Sequence, residues 1–161
     1  MPQRQDYVMR MIEELNQFLA EVLRFRRAGR FDAALLVLLQ AQQRLFARPI
    51  DQFMAMSIEE QVRLLALDET APHAREKCLA YANLLTEAAD TYEAKDQAAL
   101  AHGAHQLALQ VILLAVSRFP PADSAPDRVR IQALLDRLPA GELNAEVSGR
   151  LQPLPPGTGA G

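Results

Sequence analysis

Apolar residues recur along this chain at steps of three and four, the rhythm of one helix face, and seldom alternate as a half-buried strand would require. Val8, Met11, Leu15, Phe18, Val22 and Phe25 predict a first helix over about 6–28. Gly29 can enter the left-handed conformation at little steric cost. Phe31, Ala34, Leu38, Ala41 and Leu45 then resume the rhythm over 31–46. The stretch FRRAGRFDAALLVLLQAQ therefore predicts the turn and second arm of a helical hairpin. Leu35 to Leu39 is apolar all round, which predicts neighbours on more than one side.

Pro49 breaks the pattern, and a short segment runs through Met56. In Ser57-Ile58-Glu59-Glu60 the Ser57 hydroxyl and the Glu60 carboxylate can each satisfy a free amide, which predicts a helix start and a helix over 58–67. Thr70 can cap the next helix, with Pro72 in its first turn, where a missing amide proton costs nothing. Ala74, Cys78, Tyr81, Leu85, Ala88 and Tyr92 stripe that helix over 71–94. Its partner spans 97–118 and is stopped by Pro120-Pro121, giving a second hairpin. Ser124 to Pro126 opens a helix to 138, and Leu143, Val147 and Leu151 align on a last short one over 142–151. The predicted fold is all-α: one domain over 1–151, with extra helices between and after the hairpins. The tail QPLPPGTGAG, 152–161, has almost no apolar content to bury and is expected to be disordered.

Composition narrows the function without naming it. Half of the 161 residues are hydrophobic and 23% are charged, enough for one core that buries roughly 70% of the unfolded surface. A net charge of −3 provides no overall field for nucleic acid, which is disfavoured as a partner. Cys78 is the only cysteine, so no intrachain disulfide forms, and a cytoplasmic location is expected. The longest strongly apolar runs fall short of the ~20 residues a membrane helix needs, and MPQRQDYVMR is not a signal peptide. Neither membrane insertion nor secretion is expected.

An internal echo links the hairpins. A shift of 67 residues lays Asn16 on Asn83, Phe18 on Leu85, Phe25 on Tyr92, Ala34 on Ala101, Ala41 on Ala108 and Leu45 on Ile112. Small residues at such positions let helices approach closely while large ones fill the gaps beside them. Gly29, Phe31, Ala34, Leu38 and Ala41 resemble the tetratricopeptide repeat at its turn glycine, following aromatic, small, large and small positions. Ala101, His105 and Ala108 make a poorer second copy, with Asp96 in place of the glycine and Ala98 in place of the aromatic. The usual proline at the repeat end is missing from both. The shift is near twice the usual period of about 34, yet 47–69 carries no copy, so a regular three-repeat array is not expected.

Three stretches, AGRFDAALLVLLQAQQRLF, SIEEQVRLLAL and LLTEAADTYEAKDQAALAHGAHQLAL, resemble in their order an uncharacterised bacterial family of small tetratricopeptide-repeat-like (TPR-like) proteins. The resemblance covers most of the chain, from Tyr7 to about Leu138. It implies a right-handed array of antiparallel helical hairpins and no enzyme activity. It also implies that the first helix of each hairpin lines a concave groove. Carried over by position, that groove exposes Asn16, Leu19, Leu23, Arg26 and Arg27 in the first hairpin, and Asn83, Thr86, Asp90 and Glu93 in the second. One end is then basic and the other acidic. Asparagines there can bond the backbone amides of an extended peptide. The lysines that some such domains use to clamp a terminal carboxylate are missing.

Candidate chemistry is sparse. No GxSxG, HExxH, phosphate-binding glycine loop or dinucleotide fingerprint is present, so no catalytic residue, cofactor or metal is expected. His102 and His105 lie three apart on one helix and could share a metal or a small ligand. His105 falls at a large core position, where packing is the simpler role. His73, near a helix start, reads as a surface residue, and Cys78 on an apolar stripe reads as a small core hydrophobe. Arg24, Arg26, Arg27 and Arg30 gather around the first turn, where they favour the helix dipole and offer an anion-binding patch. Phe46 to Met56 is apolar enough for core or for an exposed partner surface, with core the simpler reading. The expectation is a non-enzymatic interaction module, binding a protein or peptide segment in the groove or pairing with itself through the amino-terminal hairpin. The alternative is a small-molecule or metal-binding domain centred on His102 and His105.

Overall fold

The computed structural model describes residues 2–121 and 123–138. Seven α-helices and no strand are found among them: α1 (Pro2–Arg27), α2 (Phe31–Phe46), α3 (Ile50–Met54), α4 (Ile58–Ala66), α5 (Ala71–Ala94), α6 (Ala98–Arg118) and α7 (Ala125–Arg137). The protein is all-α, as the periodicity predicts. The expected helix over 142–151 and the tail at 152–161 lie outside the described residues.

Local chemistry sets the boundaries. Ser57 Oγ accepts from the Glu60 amide at 3.2 Å, and Glu60 Oε2 accepts from the Ser57 amide at 3.4 Å, so both halves of the capping box form at the start of α4. Thr70 Oγ1 accepts from the His73 amide and starts α5. α2 ends at Ala47, which takes a left-handed conformation at φ 54°.

The same turn closes both hairpins. After α1, the amides of Ala28, Gly29 and Arg30 donate to the carbonyls of Arg24, Arg26 and Phe25. After α5, the amides of Lys95, Asp96 and Gln97 donate to Thr91, Glu93 and Tyr92, each partner displaced by the same 67 positions. Gly29 stands at φ 75° and Asp96 at φ 64°, so an aspartate adopts the left-handed conformation that glycine fills in the first copy.

Both hairpins pack on one core. α5 touches α1, α2, α4 and α6, while α6 also packs on α4 and α7. Val8, Met11, Leu15 and Val22 of α1 are fully buried, as are Ala34, Leu38, Ala41 and Leu45 of α2. Each Leu or Val so buried contributes about 1.5–3 kcal/mol. Ala41 and Ala108, both at 0% exposure, are the small positions that let helices meet closely. Phe46 stacks on Phe53 at 4.4 Å and meets Tyr81 edge-on at 4.9 Å, which pins α3 to the core.

Cross-links fix the helix directions. Arg26 near the end of α1 bonds Glu87 late in α5, while Arg75 and Asp127 pair early in α5 and α7, and Arg137 and Asp90 pair late in both. Thus α1, α5 and α7 run parallel. α2 and α6 return beside them, and Arg44 of α2 meets Glu14 of α1 at 2.7 Å. That bond to Glu14, with the nearby Tyr7 hydroxyl, raises the Arg44 pKa against the opposing effect of burial.

α6, at 21 residues, is long and apolar enough to cross a membrane by length and composition, although 67% of its most apolar window is buried inside the protein. Scattered His102, His105, Gln106 and Gln110 interrupt the apolar run without lowering its average hydropathy below that of a spanning helix.

Candidate functional site

A groove of about 370 Å³ runs between α1 and α5 and is flanked by α7. Asn16 and Leu19 line it from α1, and Asn83 lines it from α5. Both asparagines are exposed, and they are related by the 67-residue shift. Ile12, Leu15 and Leu79 form apolar floor, and Glu13, Glu76 and Arg130 supply charge. The sequence places Leu15 only on the apolar stripe of α1 and predicts none of these last six in the groove, because each becomes a groove residue only when α1, α5 and α7 are set side by side. The groove offers amide donors and acceptors over an apolar floor, which suits an extended backbone.

The remaining candidates do other work. The Arg26 guanidinium, half-buried, donates from Nη1 to Glu87 Oε2 at 2.8 Å and approaches Thr91 Oγ1 at 3.4 Å. It ties α1 to α5 and brings a carboxylate to the end expected to be basic. Thr86 donates its hydroxyl to the Ala82 carbonyl of its own helix at 2.9 Å. Leu23 is half-buried, and Glu93 and Arg27 are exposed. Arg30 sits over the Phe25 ring at 4.9 Å, with Arg24 at 5.2 Å. The turn arginines are therefore partly absorbed by packing and pairing.

Asp90 belongs to a partly buried polar cluster. Its Oδ1 lies 3.6 Å from His105 Nε2 and bonds Arg137 Nη1, which itself stands 3.4 Å from the His105 ring. Burial alone would raise the Asp90 pKa, but the His105 hydrogen bond and the charges of Arg137, His105 and Arg26 bring it below the ordinary carboxylate value. The end expected to be acidic thus carries a neutralised carboxylate. His105 is 3% exposed and joins α5, α6 and α7.

His102 and His105 part company on α6. The His102 Nε2 lies 2.6 Å from the Gln106 side-chain nitrogen, whereas His105 turns inward to Asp90. Among the described residues no three His, Cys, Asp or Glu side chains stand close enough to hold a metal. His73, read as a surface residue, is half-buried, with Nδ1 at 4.0 Å from Glu69 Oε2. The Glu69 side chain, only 4% exposed, also meets Lys77 at 3.7 Å, so this corner is built into the fold. Cys78 is wholly buried, and burial pushes its thiol up to about 12.

A second, larger opening lies on the opposite side of α5. It measures about 930 Å³ between α2, α3, α4 and α6. Leu36, Met54, Leu100 and Leu107 line it and are exposed large hydrophobics. The segment 46–56 divides here: Phe46 and Phe53 are core, while Met54 and Met56 face the cleft. The all-round apolar character of Leu35 to Leu39 has the same origin, since α2 buries one side on the core and gives another to the cleft.

No protein-family model, curated protein or solved structure matches the chain.

Proposed function

We propose that the protein is a non-enzymatic helical scaffold of TPR-like architecture, whose parallel helices α1, α5 and α7 form a groove that binds an extended segment of a protein partner. The observation that carries this reading is the pair Asn16 and Asn83. They hold corresponding positions of two hairpins closed by the same turn, are both exposed, and line one groove. A right-handed array, a bacterial source and a cytoplasmic location belong to the same reading, through the likeness of the hairpin residues to that repeat. Asparagine side chains both donate and accept, so they bond peptide backbone with little demand on its side chains. Glu13, Glu76 and Arg130 then add preference for charge along the segment.

The test is photo-crosslinking in the native host, with a photoreactive residue at position 16 or 83 and a control at exposed Gln40 of α2. The reading predicts one shared partner at 16 and 83 and none at 40. Crosslinks indistinguishable among the three positions would refute it.

A further inference from the structure

We propose that the apolar cleft between α2 and α6 is a second interaction site, which takes a single amphipathic helix of about three turns from a partner protein. This does not depend on the groove of α1 and α5, which lies on the other side of α5.

The width of the cleft comes from a half-filled gap. α2 and α6 each pack on α5, and α4 lies between them, touching α2, α5 and α6. α4 has nine residues against sixteen in α2 and twenty-one in α6, so it occupies part of the gap and leaves the rest open. Ser57, Ile58 and Gln61, from the amino-terminal part of α4, form the end wall of what remains. The open part continues the gap in which α4 lies between α2 and α6. It runs from Asp32 to Gln42 along α2, about 15 Å at the usual helical rise, or roughly ten residues of an occupant.

The lining is largely apolar, and two polar side chains in it, Tyr81 and Gln61, engage each other. Tyr81 donates its hydroxyl to Gln61 Oε1 at 2.8 Å, and Gln61 Nε2 donates to the Phe53 carbonyl at 2.8 Å. The floor thus matches a continuous apolar stripe, with anchors at steps of three and four. Leu36 and Leu100, 55% and 53% exposed, stand on opposite walls, and Met54 adds an adaptable thioether at the rim.

Area and charge select the occupant. The exposed lining of the cleft is far smaller than the ~800 Å² that each partner of a stable dimer contributes. An inserted element fits better than a second copy laid flat. At the turn end, Arg30 and Lys95 lie beside the amino termini of both α2 and α6, with Asp32 as the opposing carboxylate. Lys95 is already paired with Asp32 at 2.6 Å, so Arg30 and the two helix amino termini are what favour an acidic side chain of the occupant at that end.

The test selects a displayed library of helical peptides, about fourteen residues long and varied in Leu, Ile, Met, Phe, Asp and Glu, on the full chain. Enriched peptides are expected to carry three apolar anchors at helical spacing and acidic residues at one end. Leu36→Asp and Leu100→Asp, at exposed positions, are each expected to weaken them at least tenfold at unchanged thermal midpoint, while Asn16→Ala leaves them unaffected. Enrichment equal to that on the Leu100→Asp chain would overturn the proposal. So would a dimer in sedimentation that Leu100→Asp dissolves, or a co-purified small amphiphile, seen by native mass spectrometry, that the same substitution removes.

Discussion

Gly29 and Asp96 hold one backbone conformation at equivalent points of two hairpins, φ 75° and φ 64°, within the same set of turn hydrogen bonds. The two residues differ in cost, because an L side chain in the left-handed region meets its own carbonyl and glycine does not.

Exchanging them tests that equivalence. A Cβ added at Gly29 meets nothing within 4 Å, so Gly29→Ala pays only in conformation and should lose about 1 kcal/mol of stability. Asp96→Gly should gain up to about 1 kcal/mol by removing the same strain. Denaturant titration of both variants checks this, and equal losses would show that the turns are not equivalent.

The Arg26–Glu87 pair should couple α1 to α5. Both side chains are about three-quarters buried or more, at 20% and 25% exposure, and the bond is 2.8 Å. A double-mutant cycle with Arg26→Ala and Glu87→Ala should return a coupling of about 1–2 kcal/mol. A value near zero would mean that this pair adds nothing to the apolar packing of α1 on α5.

Acid should loosen the junction of α5, α6 and α7. The folded Asp90 pKa lies below its unfolded value of about 3.9. The unfolded chain therefore takes up the proton first, and this contribution to stability is complete above that value and lost as pH falls through the folded one. Urea unfolding of wild type and Asp90→Asn should differ at pH 7 and converge below about pH 4. A difference that stays constant down to pH 3 would remove Asp90 from the account.

Cys78 should report unfolding. Its thiol is raised to about 12 by burial, so at pH 8 it is almost entirely protonated, while the unfolded thiol, near 8.5, is partly ionised. Alkylation in the native state should be at least ~1000-fold slower than in urea. Because the folded pKa is the higher one, stability should also fall as pH rises above about 8.5. Rapid native labelling would contradict both expectations.

Much of this fold is legible in the sequence, and the reasons are local. The boundaries of α2 and α5 follow from apolar spacing, a turn glycine and a threonine cap, all within a few residues of the positions they control. The Asp96 turn carries no glycine signal and is found only by laying the second hairpin on the first. Arg26, Asp90 and Thr86 show what local reasoning misses. Their positions on a helix face can be counted, but their partners depend on how α1, α5 and α7 are rotated against one another. The cleft is less legible still. It exists because α4 is shorter than the gap it enters, a relation among three helices that no single stretch of sequence contains.

The central claim is that Asn16 and Asn83 act together on one bound segment. Its most direct measurement is the affinity of the wild type and of the Asn16→Ala/Asn83→Ala chain for the segment crosslinked at those positions, made as a synthetic peptide. Both side chains are exposed, so folding should be unaffected. Two lost hydrogen bonds of about 0.5–1.5 kcal/mol each should weaken binding roughly tenfold. Unchanged affinity in a fully folded double variant would contradict the account.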